Sequence, residues 1–250
     1  MRRFFLPASH IHNTQAVIDG TEFHHLRHVL RLQVGDGVFL CDDQGTEYQG
    51  TIATLSPTSA EVNITHLTSA TPRLSLTLAQ GLLKGQKMDL VIEKTTELGV
   101  SRIVPLVSKF TVARLREGHH QDRLLRWHRI AQSAAKQSGS PVPHLAPPQS
   151  FTEFLYSVPD NIPTLLFYEK EPRESLKHFA ERHRQLSALN VIVGAEGGFA
   201  EEEVEYARQA GCHVLSLGSH VLRAETASIV AVALCQFLWG DSGVPPLPER

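Results

Sequence analysis

The 250-residue sequence is poor in cysteine, in long apolar runs and in net charge. Its three cysteines, Cys41, Cys212 and Cys235, lack Cys-x-x-Cys spacing, which argues against a disulfide framework or zinc site and favours a reducing cytoplasm. No apolar run reaches the length of about 18 residues that crosses a bilayer. The apolar start ends at Pro7. We therefore expect neither a signal peptide nor a membrane anchor.

The net charge of −2 is unevenly distributed along the chain. Residues 71–150 carry 12 Lys and Arg against 5 Asp and Glu, a surplus of +7. A basic middle third is typical of a phosphate-binding face, although solvated helix surfaces rich in Lys and Arg give the same count. Charge alone therefore leaves nucleic-acid binding open.

The first 70 residues have the pattern of short strands around one helix. Segments 37–42, 47–55 and 59–67 are rich in Val, Ile and Thr and are separated by turns containing Gly, Asp and Ser. Between the chain start and these segments, Phe23, Leu26 and Leu30 have helical spacing. The pattern predicts a small closed or half-closed β-barrel, followed by a linker before residue 73.

From residue 73 onward, strand and helix patterns alternate strictly, which predicts a mostly parallel sheet with helices on both faces. The last helix is apolar nearly all round over residues 229–238, so we expect it to be buried, in the core or between subunits. Strands are predicted at 73–80, 102–107, 164–169, 189–194 and 213–218, and helices at 87–99, 122–139, 174–186, 201–211 and 224–240.

One segment, NVIVGAEGGFAEEEV at residues 190–204, has the features of a ligand-binding loop. Its strand ends in Gly-x-x-Gly-Gly, and glycines let the backbone approach a ligand closely at the carboxyl end of a parallel strand. Neither GxxxxGK[ST] nor an early GxGxxG is present, and Glu201, Glu202 and Glu203 would repel a pyrophosphate. The segment favours a neutral or cationic ligand, and a tight turn without any ligand remains the alternative.

Other catalytic and metal-binding patterns are weak. His24 and His28 have i, i+4 spacing, but no carboxylate completes an HExxH motif, so we expect no metal site. No Ser-His-Asp or Cys-His arrangement for nucleophilic catalysis is evident.

Three motifs resemble one family: VGAEGGFAEEEV, LSLGSHVLRAETASIVA and KGQKMDLVIEKTTELGVSRIVPLVS. They are similar to the ribosomal small-subunit methyltransferase E family, 16S rRNA uridine-N3 methyltransferases of the SPOUT superfamily. The similarity extends from RRFFL to CQFLWGD. It implies a PUA-like RNA-binding β-barrel (1–70), a SPOUT α/β domain with a C-terminal trefoil knot (73–241) and a tail (242–250). It also implies S-adenosylmethionine as cofactor, a homodimer, and the small ribosomal subunit as partner.

By this resemblance, three strand ends and the loops after them form the cofactor pocket. Ala195 stands where the family usually has proline, and His220 and Ser140 stand where it usually has arginine. The last two departures remove positive charges from positions that would otherwise be candidates for catalysis or RNA binding. The implied cofactor-binding residues are Leu166, Phe167, Tyr168, Glu169, Gly194, Glu196, Gly197, Gly198, Leu215, Leu217, Gly218, Val221, Leu222, Arg223, Thr226 and Ala227.

Methylation of uridine N3 requires loss of an imide proton and spreads negative charge onto the flanking carbonyl oxygens. We expect Arg223 to stabilise that charge and Glu196 or Glu225 to accept the proton, although either carboxylate could instead cap a structure. Candidate RNA-phosphate contacts are Arg2, Arg3, Arg27, Arg31, Lys84, Lys87, Lys94, Arg114, Arg116, Arg123, Arg126 and Lys136.

Three other functions are compatible with parts of this sequence. A SPOUT ribose 2′-O-methyltransferase would use the same fold, and a non-enzymatic RNA-binding assembly factor would retain it without binding the cofactor. A nucleotide-binding domain is disfavoured by the missing P-loop lysine and the acidic loop.

Overall fold

The computed structural model describes residues 2–42, 46–68, 73–112, 120–171 and 174–243. The chain divides into two compact units, Met1–Thr71 and Pro72–Arg250. Within the described ranges, no helix is both long enough and apolar enough to cross a membrane.

The first unit is a six-stranded sheet with the strand order β1-β4-β5-β6-β3-β2. Only the β1–β4 pair is parallel. Register shifts between β5 and β6 mark bulges, which bend a sheet. In the described residues the strand path does not close, so the unit fits the half-closed alternative. The strands are β1 (Arg2–Leu6), β2 (Ile11–His12), β3 (Gln15–Asp19), β4 (Gly37–Asp42), β5 (Glu47–Leu55) and β6 (Ser59–Thr68).

One helical segment covers the core of this sheet, as the spacing predicts. It consists of α1 (Gly20–His24) and a π-helical turn (His25–Val29). Phe23 and Leu26 are buried in it and belong to the same apolar cluster as Phe4 and Leu40 of the strands.

The second unit contains a sheet in which every pair of strands is parallel. Its order is β10-β8-β7-β12-β11-β13, with β9 also paired to β8. The prediction of a mostly parallel sheet is confirmed. The strands are β7 (Ser75–Gly81), β8 (Arg102–Val107), β9 (His144–Leu145), β10 (Gln149–Ser150), β11 (Thr164–Phe167), β12 (Ala188–Val193) and β13 (His213–Leu215).

Helices cover both faces of this sheet, because successive strand residues point to opposite sides. Leu78 and Val191 belong to one apolar cluster, whereas their neighbours Ala79 and Ile192 belong to the other. The helices are α2 (Lys87–Glu97), α3 (His120–Ser138), α4 (Phe151–Ser157), α5 (Leu176–Arg182), α6 (Glu201–Gln209) and α7 (Ala224–Trp239).

Two helices differ from the predicted pattern, and a third is only partly covered. Helix α4 was not predicted, and α5 ends at Arg182, before the predicted limit at residue 186. In the single chain α7 is only partly buried, and burial of its exposed side between subunits remains a prediction. Val232 and Cys235 are buried, whereas Phe237 is 66% exposed. The trefoil knot remains a prediction.

Candidate functional site

A cavity of about 360 Å³ lies at the carboxyl ends of β11, β12 and β13, with the start of α7 as one wall. Every residue that the resemblance implies for the cofactor lines it except Leu166, Leu215 and Thr226; Leu166 and Leu215 are fully buried. The family motifs therefore converge on one site. The lining residues outside the implied cofactor set are Lys87, Val193, Ala195, Phe199, Ser216, His220, Ala224 and Glu225.

One wall of the cavity is a tight turn formed by residues 194–198, which we call the glycine turn. The Gly198 amide donates to the Ala195 carbonyl at 2.9 Å, and Gly198 has a φ of +67°, a conformation that favours glycine. A Cβ on Gly81, at the end of β7, would lie 2.3 Å from the Ala195 nitrogen. Residue 81 must therefore be glycine for the turn to pack against the sheet.

A buried amide, Gln80, connects the glycine turn to the start of α7. Its Nε2 donates to the Gly81 carbonyl at 2.9 Å and to the Gly194 carbonyl at 3.3 Å. The Ser228 hydroxyl lies within hydrogen-bond distance of Gln80 Oε1 and of the Ala224 carbonyl. Sequence reasoning missed Gln80 and Ser228; the only signal was a polar residue at the end of an otherwise apolar strand.

Glu196 is held in its ionised form by neighbouring donors. Its Oε1 accepts hydrogen bonds from the Lys84 amide and from Lys87 Nζ, both at 3.1 Å. Partial burial raises the pKa of Glu196. This effect is outweighed by these two hydrogen bonds, by a third from its own backbone amide and by the charge of Lys87, so that the pKa lies below its usual range. Glu196 is thus a weak proton acceptor.

Glu225 has a different environment, although it faces the same lysine. It lies in the first turn of α7, is only 9% exposed and lines the cavity. Its buried Oε2 has no hydrogen-bond partner in the described residues, and Lys87 Nζ stands 3.9 Å away. An unsatisfied buried acceptor is costly, so this oxygen is suited to a donor that a ligand brings.

Charged residues of both signs line the cavity. Arg223 is exposed, lines the cavity and forms the N-cap of α7. The Glu169 carboxylate lies 3.5 Å from the position of a Cβ on Gly198. Two cations, Lys87 and Arg223, thus line the cavity together with three carboxylates, Glu169, Glu196 and Glu225, a balance that tolerates a cationic ligand.

The acidic cluster that the sequence singled out does not line this cavity. Glu203 accepts from the Ala200 amide at 2.9 Å and from the Lys109 amide at 2.8 Å, and Glu202 pairs with the Lys109 ammonium. The prediction of a neutral or cationic ligand therefore cannot rest on Glu201, Glu202 and Glu203, because Glu203 caps α6 and contacts the loop after β8 and Glu202 pairs with Lys109.

The structure locates two of the residues that depart from the family pattern, Ser140 and His220. Ser140 Oγ donates to the Thr96 carbonyl at 2.7 Å, which joins the end of α2 to the segment after α3. His220 is exposed and lines the cavity.

The candidate RNA-binding residues fall into groups that differ in their contacts. Arg2, Arg27, Arg31, Lys84 and Arg123 are exposed. Ion pairs join Arg3 to Glu47, Lys94 to Glu93 and Glu97, Arg126 to Asp89, and Lys87 to Glu196 in the cavity, while Lys136 is half-buried. Arg114 and Arg116 lie outside the described residues.

Metal-ligating side chains are not clustered in the part of the chain that the structure describes. No group of three or more His, Cys, Asp or Glu residues there could hold an ion. The ring centroids of His24 and His28 lie 4.7 Å apart.

Comparison with protein families gives two matches. An RNA methyltransferase domain matches residues 70–236, and an RNA methyltransferase PUA domain matches residues 18–65. The first match covers the whole sheet of the second unit and most of α7.

Individual relatives match over nearly the full length. A ribosomal RNA small subunit methyltransferase E from Bacillus subtilis is 28% identical over 95% of this chain and 96% of its own. A crystal structure of a ribosomal RNA small subunit methyltransferase E from Neisseria gonorrhoeae, bound to S-adenosyl methionine, is 31% identical and has a TM-score of 0.80, covering 97% of this chain and 99% of that one.

A third relative is a putative methyltransferase from Legionella pneumophila, solved in complex with bound S-adenosylmethionine. It is 26% identical, has a TM-score of 0.78, and covers 96% of this chain and 98% of its own. With both domain models matched in order and the motif loops assembled around one cavity, the chain belongs to the ribosomal RNA small subunit methyltransferase E family of RNA methyltransferases.

Proposed function

We propose that this protein transfers the methyl group of S-adenosylmethionine to N3 of a uridine in 16S rRNA of the small ribosomal subunit. The observation that carries the proposal is the cavity at the strand ends, where a buried carboxylate oxygen of Glu225 lacks a hydrogen-bond partner in the described residues. Membership of the family supports the reaction class, and the names of the relatives support rRNA as the substrate. Such a reaction belongs in the cytoplasm.

The residues of the cavity fit this cofactor. Gly198 and Gly218 line the cavity without a side chain and leave room for close backbone contact, and Leu217 and Leu222 offer apolar surface to an adenine. Three carboxylates are compatible with a cationic sulfonium, whereas they would repel a triphosphate. When bound, the cofactor supplies an electrophilic methyl group.

Of the two predicted proton acceptors, we assign the role to Glu225. Glu196 is disfavoured because its pKa is lowered and its Oε1 already accepts two hydrogen bonds. The Oε2 atom of Glu225 is available to accept the N3 proton, and Lys87, at 3.9 Å, then remains to hold the carboxyl group in place.

Arg223 is assigned to the developing negative charge. As the base loses its N3 proton, charge spreads to the flanking carbonyl oxygens, and a guanidinium at the cavity wall can donate to one of them. The buried Gln80 positions this wall, because it connects the glycine turn to Ser228 of α7.

The RNA must present a single base to the cavity. A base within a stacked helix cannot reach it, so the uridine leaves its stack, and Lys and Arg side chains hold the flanking phosphates. The PUA domain match supports a role for the first unit in RNA binding. The exposed apolar residues Leu234, Phe237 and Leu238 on α7 support a homodimer.

The proposal is tested with small ribosomal subunits from a strain that lacks this activity. The protein is incubated with these subunits and methyl-labelled S-adenosylmethionine, and the rRNA is digested and analysed by mass spectrometry. We expect label in 3-methyluridine at one position. Label in a 2′-O-methylnucleoside would support the ribose-methylating alternative, and absence of both cofactor binding and label would support an assembly factor.

A further inference from the structure

An exposed aromatic residue packs against the glycine turn. Phe110, in the loop after β8, is 43% exposed. A Cβ on Gly197 would lie 2.8 Å from Phe110 Cβ and 3.6 Å from Cγ, so this phenylalanine packs against a residue that lines the cavity. Phe110 itself does not line the cavity, which places it beside the site.

Hydrogen bonds hold the residues on both sides of Phe110 in place. The Ser108 amide donates to Thr111 Oγ1 at 2.8 Å, and the Thr111 amide donates to the Ser108 carbonyl at 3.0 Å. The Lys109 amide donates to Glu203 at 2.8 Å, which joins the loop to α6. The side chain of Phe110 is therefore carried on a preorganised turn. Because part of its ring stays exposed, packing within the protein does not fully account for an aromatic residue at this position.

The groups around this ring carry charges of both signs, because the ammonium of Lys109 beside it pairs with Glu202 and the Lys109 amide donates to Glu203. Lys84, an exposed candidate for RNA-phosphate contact, is joined to the same glycine turn because its backbone amide donates to Glu196. Single-stranded RNA binds where bases can stack on an exposed aromatic ring and cations elsewhere on the same face meet the phosphates.

We propose that Phe110 is the platform on which the base next to the reacting uridine stacks. The proposal rests on the function proposed above and deepens it. Because Phe110 lies outside the cavity lining, the stacked base is the neighbour of the target and not the target itself. Stacking there would hold the target nucleotide splayed out of its helix and aimed at the cavity, so Phe110 is a positioning residue.

The test compares three substitutions at this position, using unmethylated small subunits as substrate. Phe110→Leu keeps apolar packing on Gly197 but removes the aromatic face, and we expect KM for the subunit to rise about 10-fold with a smaller change in kcat. Phe110→Tyr and Phe110→Trp keep an aromatic face, and we expect their KM for the subunit to stay close to that of the wild type. Cofactor affinity by calorimetry and melting temperature should stay unchanged in all three.

Phe110→Trp also gives a direct signal, since the two native tryptophans, Trp127 and Trp239, are buried. A short single-stranded RNA containing the target uridine should quench the fluorescence of Phe110→Trp. Val112→Trp, introduced at a 63% exposed position in the same loop, is the matched control and should not be quenched.

Two outcomes would overturn the inference while the proposed function stands. Equal KM for wild type and Phe110→Leu would exclude a stacking role. Dissociation of a wild-type dimer on Phe110→Leu substitution, seen by light scattering, would make the ring an interface residue. If the wild-type protein methylates no uridine at all, it is the proposed function that fails.

Discussion

At the scale of single residues, the two carboxylates Glu196 and Glu225 share one ammonium but differ in their other contacts. Lys87 Nζ lies 3.1 Å from Glu196 and 3.9 Å from Glu225. Only Glu196 also accepts a backbone hydrogen bond, from Lys84. In the proposed mechanism this difference makes Glu196 a structural carboxylate and Glu225 the reactive one, and the assignment can be tested at each residue.

Glu225→Gln is expected to lower the rate of methyl transfer about 100-fold or more, because an amide cannot accept the N3 proton. Calorimetry should show that the variant still binds S-adenosylmethionine, and Arg223→Ala should show the same loss of rate with retained binding. Glu201→Gln, at an exposed position on α6, is the matched control. A normal rate in Glu225→Gln would remove this residue from the mechanism.

Glu196 should instead affect stability in a pH-dependent way. Its pKa is lowered in the folded protein, so its ionised form stabilises the fold above the ordinary carboxyl pKa, and this contribution disappears as the pH falls through the lowered value. Glu196→Gln should therefore reduce the free energy of unfolding by about 1 kcal/mol at pH 7 and by less in acid. Denaturant titrations at several pH values measure this.

The exposed Glu181 on α5 provides the control for that series. Glu181→Gln should change the free energy of unfolding little at any pH. A loss in Glu196→Gln that is equal at pH 7 and in acid would contradict the assigned contacts.

Residue identities were predictable from the motifs, but their roles were not. The glycines and Arg223 follow from the motif loops. The choice between Glu196 and Glu225 depends on Lys87, which lies 109 residues before Glu196 in the chain. Only the tertiary fold brings these groups together, so no local pattern could rank them.

At the scale of secondary-structure elements, the glycine turn depends on the end of β7. Gly81→Ala would place a Cβ 2.3 Å from the Ala195 nitrogen and 2.6 Å from the Gly194 carbonyl carbon. Because both are backbone atoms, the turn must shift, and we expect a loss of about 2 kcal/mol in stability together with weaker cofactor binding. Denaturant unfolding and calorimetry measure the two effects.

Gly85→Ala is the matched control for this substitution. Its Cβ would meet nothing within 4 Å, and its φ of +58° adds only the strain of a left-handed alanine, about 1 kcal/mol. Cofactor binding should be unaffected. If Gly81→Ala binds the cofactor as tightly as Gly85→Ala does, the proposed support of the turn is incorrect.

Long alternating elements were predictable, whereas one short helix was not. Hydrophobic periodicity and the stop at Gly99 placed α2 within about one turn of its observed limits. Helix α4 is only seven residues long and follows a proline-rich segment, so its periodicity is weak. Its signal was the capping box, in which the Ser150 side chain accepts from the Glu153 amide and Glu153 accepts from the Ser150 amide.

At the scale of the whole molecule, the exposed side of α7 predicts association of two copies. Phe237 is 66% exposed beside Leu234 and Leu238 on the same helix. Phe237→Glu should convert a dimer into a monomer, because a buried unpaired charge is unfavourable in an apolar interface. Light scattering over a concentration series measures the mass.

Tyr156→Glu is the control, since Tyr156 is 78% exposed on α4. It should leave the mass unchanged. A wild-type protein that is monomeric at micromolar concentration would contradict the dimer directly.

The parallel sheet was predictable, because alternating strands and helices leave few other arrangements. The half-closed course of the first sheet depends on bulges between β5 and β6, which the sequence does not mark. The account as a whole depends on the cavity beside the glycine turn accepting a cationic methyl donor.

Titration calorimetry tests this directly: the wild-type protein is titrated with S-adenosylmethionine and then with ATP. The cavity glycines admit the methyl donor, and Glu169, Glu196 and Glu225 repel a triphosphate. We expect saturable binding of S-adenosylmethionine and none of ATP. Binding of ATP that displaces S-adenosylmethionine, or no binding of S-adenosylmethionine, would contradict the account.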